Sequence, residues 1–309
     1  MCRERWPAVA AALLFVSLGA APRVAQAQAC CAATGLVLPA RLRVYEDVGV
    51  GLQARLRPSY GTFAADGAFS RVSSGDLVTE QDLFVVWRAL ERLQVGVVLL
   101  YVETWRRVPD RSEWGGFFGD AAADVRVEIV RPGDHGRFPS ITLLGGVSVP
   151  TGRAPDEAHN PLGTDAAGSG SYQITEGLEV ETLGTRWFAS LDGWVTERSS
   201  RAAPGGRQSF APRLTLLLAG GRSFSDRLAA AAFGSVTRGG GGSEPAAAAS
   251  GAPVDTRVAL ATAGVAGVLT VEAHWRVQAS LAFDLPLSGW GRNQPATAGL
   301  SASVIRVWP

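Results

Sequence analysis

The side chains able to do chemistry are few, and their spacing fits no active site. A hydrolase would need a base beside a nucleophile, and the 309-residue chain holds three histidines, His135, His159 and His274. The nearest approach to a nucleophile elbow is Gly146-Val147-Ser148-Val149-Pro150, which lacks the second glycine of GxSxG. His135 and His274 fall in turns and His159 in a long loop, so no two share a strand face with a nucleophile. Asp156, Glu157, His159 and Asp165 offer donors for a divalent cation, but without the spacing of an EF-hand loop. The glycine run 239–242 has no following Lys and no helix to open, so it reads as a flexible loop and not a phosphate cradle. Neither catalytic residue, metal nor cofactor is expected.

What remains is charge. All 29 cationic residues are Arg and none is Lys; 28 Asp and Glu leave a net charge of +1, too little for a surface that binds nucleic acid. Codon bias in a GC-rich genome would produce the Arg excess unaided. The question becomes which elements hold these charges, and on which side.

Residues 1–27 read as a secretory signal: Arg3 and Arg5, an apolar run over 8–21, and Ala25-Gln26-Ala27 as a small-x-small cleavage site. Cys30 and Cys31 are then the cysteines left. They are adjacent, without a CxxC pair or neighbouring His, and a bridge between neighbours is strained, so free thiols and intermolecular pairing stay equally open. Ala27 stands where a lipobox prefers Leu, which argues against lipidation at Cys30.

Beyond the signal no run reaches the roughly 18 apolar residues of a membrane helix. The period is two. In 275–286, Val277, Ala279, Leu281, Phe283 and Leu285 share one face and Arg276, Gln278, Ser280, Ala282 and Asp284 the other. The same alternation runs through 48–57, 81–90, 94–105, 122–131, 140–149, 170–182, 186–197 and 210–221, and more loosely through 227–238, 257–271 and 297–308, making twelve candidate strands. Their connections alternate too. Short links at 90–93, 183–185, 223–226 and 272–274, with a longer one at 132–137, take turns with long links at 58–80, 106–118, 150–169, 198–209, 239–256 and 287–296. Outer-membrane barrels sort their connections this way, with short turns at the periplasmic end and long loops outside.

The expectation is therefore an all-β chain: a single antiparallel up-and-down transmembrane barrel of about twelve strands over 48–309, preceded by a short periplasmic or lumenal segment at 28–47. Trp87, Trp187, Trp275 and Trp308 fall at the periplasmic strand ends and Tyr101 and Trp105 at the outer ends, as interface girdles require; Trp114 is expected in a loop. The polar face, which would line any pathway, carries Arg55, Arg57, Arg88, Arg126, Glu128, Asp192, Arg213, Arg276 and Asp284, interspersed with Phe84, Val86, Leu144, Phe188 and Leu217. One aromatic breaks the scheme: Trp194 comes out on the lumen side when Trp187 faces lipid.

Four segments resemble the outer-membrane transporter-like barrels named for a MetA pathway of phenol degradation. They are Ala89-Leu90-Glu91-Arg92-Leu93-Gln94-Val95-Gly96-Val97 at the first short turn, Gly116-Phe117-Phe118-Gly119-Asp120, Pro150-Thr151-Gly152 after 140–149, and Gly163-Thr164 with Gly168-Ser169-Gly170. Phe118 departs from that pattern, and Pro309 follows the aromatic Trp308 that the barrel-insertion machinery would read. The resemblance implies outer-membrane lipid as surroundings and passive uptake of small hydrophobic or aromatic solutes. The alternative is a structural or surface-interaction barrel with a filled lumen. Neither is an enzyme.

Overall fold

The computed structural model describes residues 41–71, 75–131, 138–203, 206–241, 257–272 and 274–309. Their strands are β1 (Val48–Phe63), β2 (Phe69–Arg71), β3 (Leu77–Leu90), β4 (Leu93–Val108), β5 (Arg111–Phe118), β6 (Ala121–Val130), β7 (Ser140–Val149), β8 (Gln173–Leu183), β9 (Trp187–Arg198), β10 (Arg201–Ala203), β11 (Gly206–Gln208), β12 (Arg213–Ser223), β13 (Leu228–Gly239), β14 (Val258–Glu272), β15 (Trp275–Asp284) and β16 (Gln294–Trp308). Twelve of them, all but β2, β5, β10 and β11, form one antiparallel sheet, and β16 returns to pair with β1 from Val48↔Trp308 to Phe63↔Gln294. Closure leaves the wall without an edge, the condition for strands to cross hydrocarbon with every backbone group paired.

The alternation in the sequence becomes two surfaces. On β12, Leu214, Leu216 and Leu218 are about half exposed, while Thr215, Leu217 and Ala219 between them are buried. Leu52, Leu83, Leu191, Leu281 and Leu300 continue the outer belt on other strands. A water-soluble protein does not expose leucines strand after strand; a wall facing acyl chains must.

Inside, the short-turn half is packed. Phe188, Leu217, Ala229, Phe233 and Val268 form one buried cluster, and Leu42, Phe84, Val86, Ile305 and Val307 another. Three rings in these clusters lie over a glycine directly opposite on the neighbouring strand: Phe84 over Gly51, Phe188 over Gly221 and Phe233 over Gly264. A Cβ at any of these glycines would collide with the ring, so Gly is fixed there by the space the aromatic needs.

The stretch 106–118 corrects the sequence reading. It is strand and not loop: β4 runs on to Val108, β5 returns from Arg111, and Trp114 pairs with Trp105. Tyr101 faces Phe118 and Val98 faces Ala122, so three steps along β4 match four along its partner, and Gly119-Asp120 carries the extra residue of a β-bulge. β5 and β6 are thus one long strand bent at Gly119-Asp120. A short hairpin, β10 with β11, likewise occupies part of the expected loop at 198–209.

Candidate functional site

The lumen divides by height. At the short-turn end, Arg41, Leu42 and Glu46 are buried inside the wall and gripped from several strands, while Val44 and Tyr45 between them are exposed. Arg41 Nη1 donates to Glu179 Oε1 and to Glu181 Oε2, both at 2.9 Å, and Arg126 Nη1 donates to the other Glu179 oxygen at 3.1 Å. Arg276, 1% exposed, donates to Glu46 Oε2 at 3.0 Å and to the Arg41 carbonyl at 3.1 Å. The Gln94 side chain pairs with the Leu42 backbone in both directions, at 3.0 and 3.3 Å. Arg88 donates to the carbonyls of Arg43 and Glu46, and Glu128 accepts from Arg131 at 2.9 Å. These charges are buried but answered by charge and hydrogen bond, which is the condition on which a protein interior tolerates them.

Of the residues nominated from sequence, Arg88, Arg126, Glu128, Asp192 and Arg276 stand in this lower half, around the 41–46 segment. Arg55, Arg57, Arg213 and Asp284 stand higher. Arg55 and Arg57 pair with Glu80, and Arg55 also with Asp82. Asp284 accepts from Thr262 Oγ1 at 2.7 Å and from the Thr297 backbone and hydroxyl at 2.8 Å. Glu179, Glu181 and Gln94 were not nominated. The same two-residue period would have found the two glutamates, which share a face with Gln173 and Thr175 in 170–182.

The outer half is hollow. A cavity of about 500 Å³ opens there, with Gln53, Val98, Leu100, Leu144, Ser169 and Trp194 among its lining. Trp194 therefore faces inward, on the side to which the strand period assigned it. A second cavity of about 310 Å³ lies beside it, against Gln173, Trp194, Thr196, Arg198, Arg213, Thr215 and Thr237.

Three of the segments that carry the family resemblance meet at the outer mouth. Asp120, at the bulge, accepts from the Gly152 backbone at 3.0 Å, the Ser169 backbone at 2.8 Å and the Ser169 hydroxyl at 2.7 Å. Thr151 Oγ1 donates to the Gly119 carbonyl at 3.0 Å and accepts from the Ala121 backbone at 2.8 Å. Gly152 and Gly168 touch backbone to backbone: a Cβ on Gly152 would lie 2.7 Å from the Gly168 Cα. The loop 150–172 is thereby folded over the lumen, and Ala167 and Ser169 reach the larger cavity.

The carboxylates in that loop, considered above as cation ligands, are turned to protein partners. Asp165 accepts from the His159 and Asn160 backbones, both at 3.0 Å, and from Arg153; Asp156 pairs with Arg201 at 2.6 Å. Burial alone would push the Asp165 carboxyl up, but those backbone N–H groups and the Arg153 guanidinium outweigh it and hold it down at about 2. No group of three or more His, Cys, Asp or Glu suited to a metal occurs among the described residues. The signal reading over 1–27, Cys30, Cys31, His135 and the glycine run from 242 onward lie outside the described residues.

Among the girdle aromatics, Trp87, Trp187, Trp275 and Trp105 are 37–44% exposed on the outer surface. At the short-turn rim the Arg306 guanidinium sits 5.5 Å from the Trp275 ring and 5.0 Å from the Trp308 ring. At the outer rim Tyr101 meets Phe118 edge-on.

No protein-family model matches the chain, and no curated protein matches it. Solved structures do. An outer membrane channel from Pseudomonas putida F1 is similar over 85% of this chain and 98% of its own, at 16% identity and a TM-score of 0.69. The translocator domain of the autotransporter NalP from Neisseria meningitidis covers 85% of this chain and 88% of its own, at 11% identity and a TM-score of 0.46. The P. putida toluene transporter TodX covers 84% and 88%, at 8% identity and a TM-score of 0.41. The fold is that of the outer-membrane β-barrels.

Proposed function

We propose that the protein is an outer-membrane channel through which small hydrophobic or aromatic solutes pass by diffusion. The observation that carries this reading is the cavity of about 500 Å³ inside a closed wall, lined on one part by Val98, Leu100, Leu144 and Trp194 and on another by Gln53, Ser169 and the charged Arg55, Asp82, Asp120 and Asp124. A mixed lining of that kind suits an aromatic or amphiphilic solute better than a hydrated ion. The belt of outward leucines supports a place in outer-membrane lipid, reached after loss of residues 1–27 and with the barrel-insertion machinery as a partner. Membership of the phenol-degradation barrel family belongs to the same proposal.

The alternative, a barrel with a filled lumen and no transport, draws on a specific observation of its own: Arg41, Leu42 and Glu46 occupy the short-turn half and are bonded to the wall. Planar-bilayer conductance and solute entry into liposomes separate the two. A channel shows small conductance in the wild type, a larger one after deletion of residues 28–46, and entry of a neutral aromatic such as benzyl alcohol. Silence in both proteins and no entry would favour the filled barrel.

A further inference from the structure

We propose a binding site for small organic carboxylates at the outer mouth of the lumen, with Arg198 and Arg213 holding the carboxylate and Trp194 meeting the ring. It deepens the channel reading by naming the solute class, and rests on that reading for its role.

Most arginines inside the barrel are answered by a carboxylate. Along the inner wall Arg41, Arg55, Arg57, Arg126 and Arg276 each reach a carboxylate within 4 Å. Arg198 and Arg213 form no ion pair with any carboxylate among the described residues, although both are only partly exposed and line the cavity of about 310 Å³. Two guanidinium groups facing one confined space repel each other, and each loses hydration there; an anion between them relieves both costs.

The surroundings are built for a head group. Strand register sets Arg213 opposite Thr196 and Gln173 opposite Arg198, so donors converge from three neighbouring strands. Thr175 and Thr196 share a hydrogen bond at 3.0 Å, as do Thr215 and Thr237, and these pairs fix hydroxyls around the same space. Arg198 is itself held over the Phe210 ring at 4.1 Å, which constrains its plane for a two-point grip on a carboxylate.

The rest of the solute is specified by what adjoins. Trp194 lines this cavity and the larger one, so a ring beside it would point toward Val98, Leu100 and Leu144. Asp124 lines the larger cavity and forms no ion pair with a described residue, so that wall repels an anion while the arginine wall attracts it. Free phosphate or chloride would answer the arginines alone; an aromatic carboxylate answers the arginines and the tryptophan.

The test is calorimetric titration of the refolded full chain in detergent with sodium benzoate, benzyl alcohol and sodium phosphate. Benzoate should bind in the millimolar range, about tenfold or more tighter than either of the other two. Arg198→Gln combined with Arg213→Gln should weaken benzoate by about tenfold or more, and Trp194→Ala should weaken benzoate while leaving phosphate unchanged. Equal binding of benzoate and benzyl alcohol overturns the proposal without any variant, and phosphate bound as tightly as benzoate reduces the site to a plain anion trap. A double variant that runs as a folded, heat-modifiable barrel and still binds benzoate like the wild type also overturns it. Liposome entry reads the channel separately: benzoate bound without entry of any solute keeps the site and removes the channel, and entry without binding does the reverse.

Discussion

The two halves of the lumen are built from the same strands with the same alternation, yet they differ in how completely the chain answers its own charges. Near the short turns, the chain brings its own Arg41, Leu42 and Glu46 back inside to meet Glu179, Glu181, Gln94 and Arg276. Near the long loops, Arg55 and Arg57 are paired with Glu80, but Arg198 and Arg213 face a cavity with no carboxylate partner among the described residues. The lower charges are structural because their partners are covalently part of the molecule. Arg198 and Arg213 are available because the described chain supplies them no carboxylate. Polarity on the inner face of a strand therefore does not by itself mark a solute path; what matters is whether the chain supplies the counter-charge.

This contrast breaks most directly by deleting one arginine from each half. Arg276→Ala should cost about 3 kcal/mol, since it removes the buried guanidinium that bonds both Glu46 and the Arg41 carbonyl, whereas Arg213→Ala should cost under about 1 kcal/mol or stabilise the barrel. Urea unfolding from lipid vesicles measures both, and equal losses would erase the distinction between the halves. The next largest effect depends on face and not height. Leu281→Arg puts a guanidinium among acyl chains at about 2–4 kcal/mol, while Ser280→Arg one residue away enters the lumen; equal yields of heat-modifiable barrel from the two would remove the register on which every inner-face assignment depends.

A smaller effect sharpens the comparison at the mouth. Asp120→Asn weakens three charge-assisted bonds to Gly152 and Ser169, each worth about 1.5–3 kcal/mol in the folded loop, so hydrogen exchange in 150–172 should accelerate while the strands stay protected. The smallest expected effect is with acid. Because the folded Asp165 carboxyl titrates at about 2, below its ordinary range, its contribution is full above about pH 4 and lost as pH falls towards that value. The loop should resist pepsin at about pH 4 and open only near pH 2. Opening already at about pH 4 would mean that Arg153 and the His159 and Asn160 backbones do not hold it.

Strand number, order and face were legible from period-two alternation and the sorting of connection lengths, because a wall between lipid and lumen imposes both on every strand. The Trp105–Trp114 pairing was not, because the inner face of β5 meets a polar loop and not an apolar core, Glu113 accepting from the Leu162 backbone at 2.7 Å, and the alternation that marks the rest is lost. Individual inner charges were legible, but their partners were not: Arg41 lies outside every strand, and its bonds to Glu179 and Glu181 span 138 and 140 residues. The meeting of Gly119-Asp120, Pro150-Thr151-Gly152 and Gly168-Ser169-Gly170 was equally hidden, since each reads alone as ordinary turn chemistry.

The rings laid over opposing glycines have a consequence for assembly. Alternation forbids a one-residue slip between strands, which would turn leucines into the lumen, but a two-residue slip keeps every side chain on its proper face. Hydrophobicity is blind to that error. Phe188 with Gly221 and Phe233 with Gly264 are not, since a shift by two sets each ring against a residue with a side chain, Ala219 or Ser223 for the first and Thr262 or Ala266 for the second. They act as a keyway cut into two of the seams between strands, a check on stagger, and with it on diameter, that hydrophobicity alone does not supply.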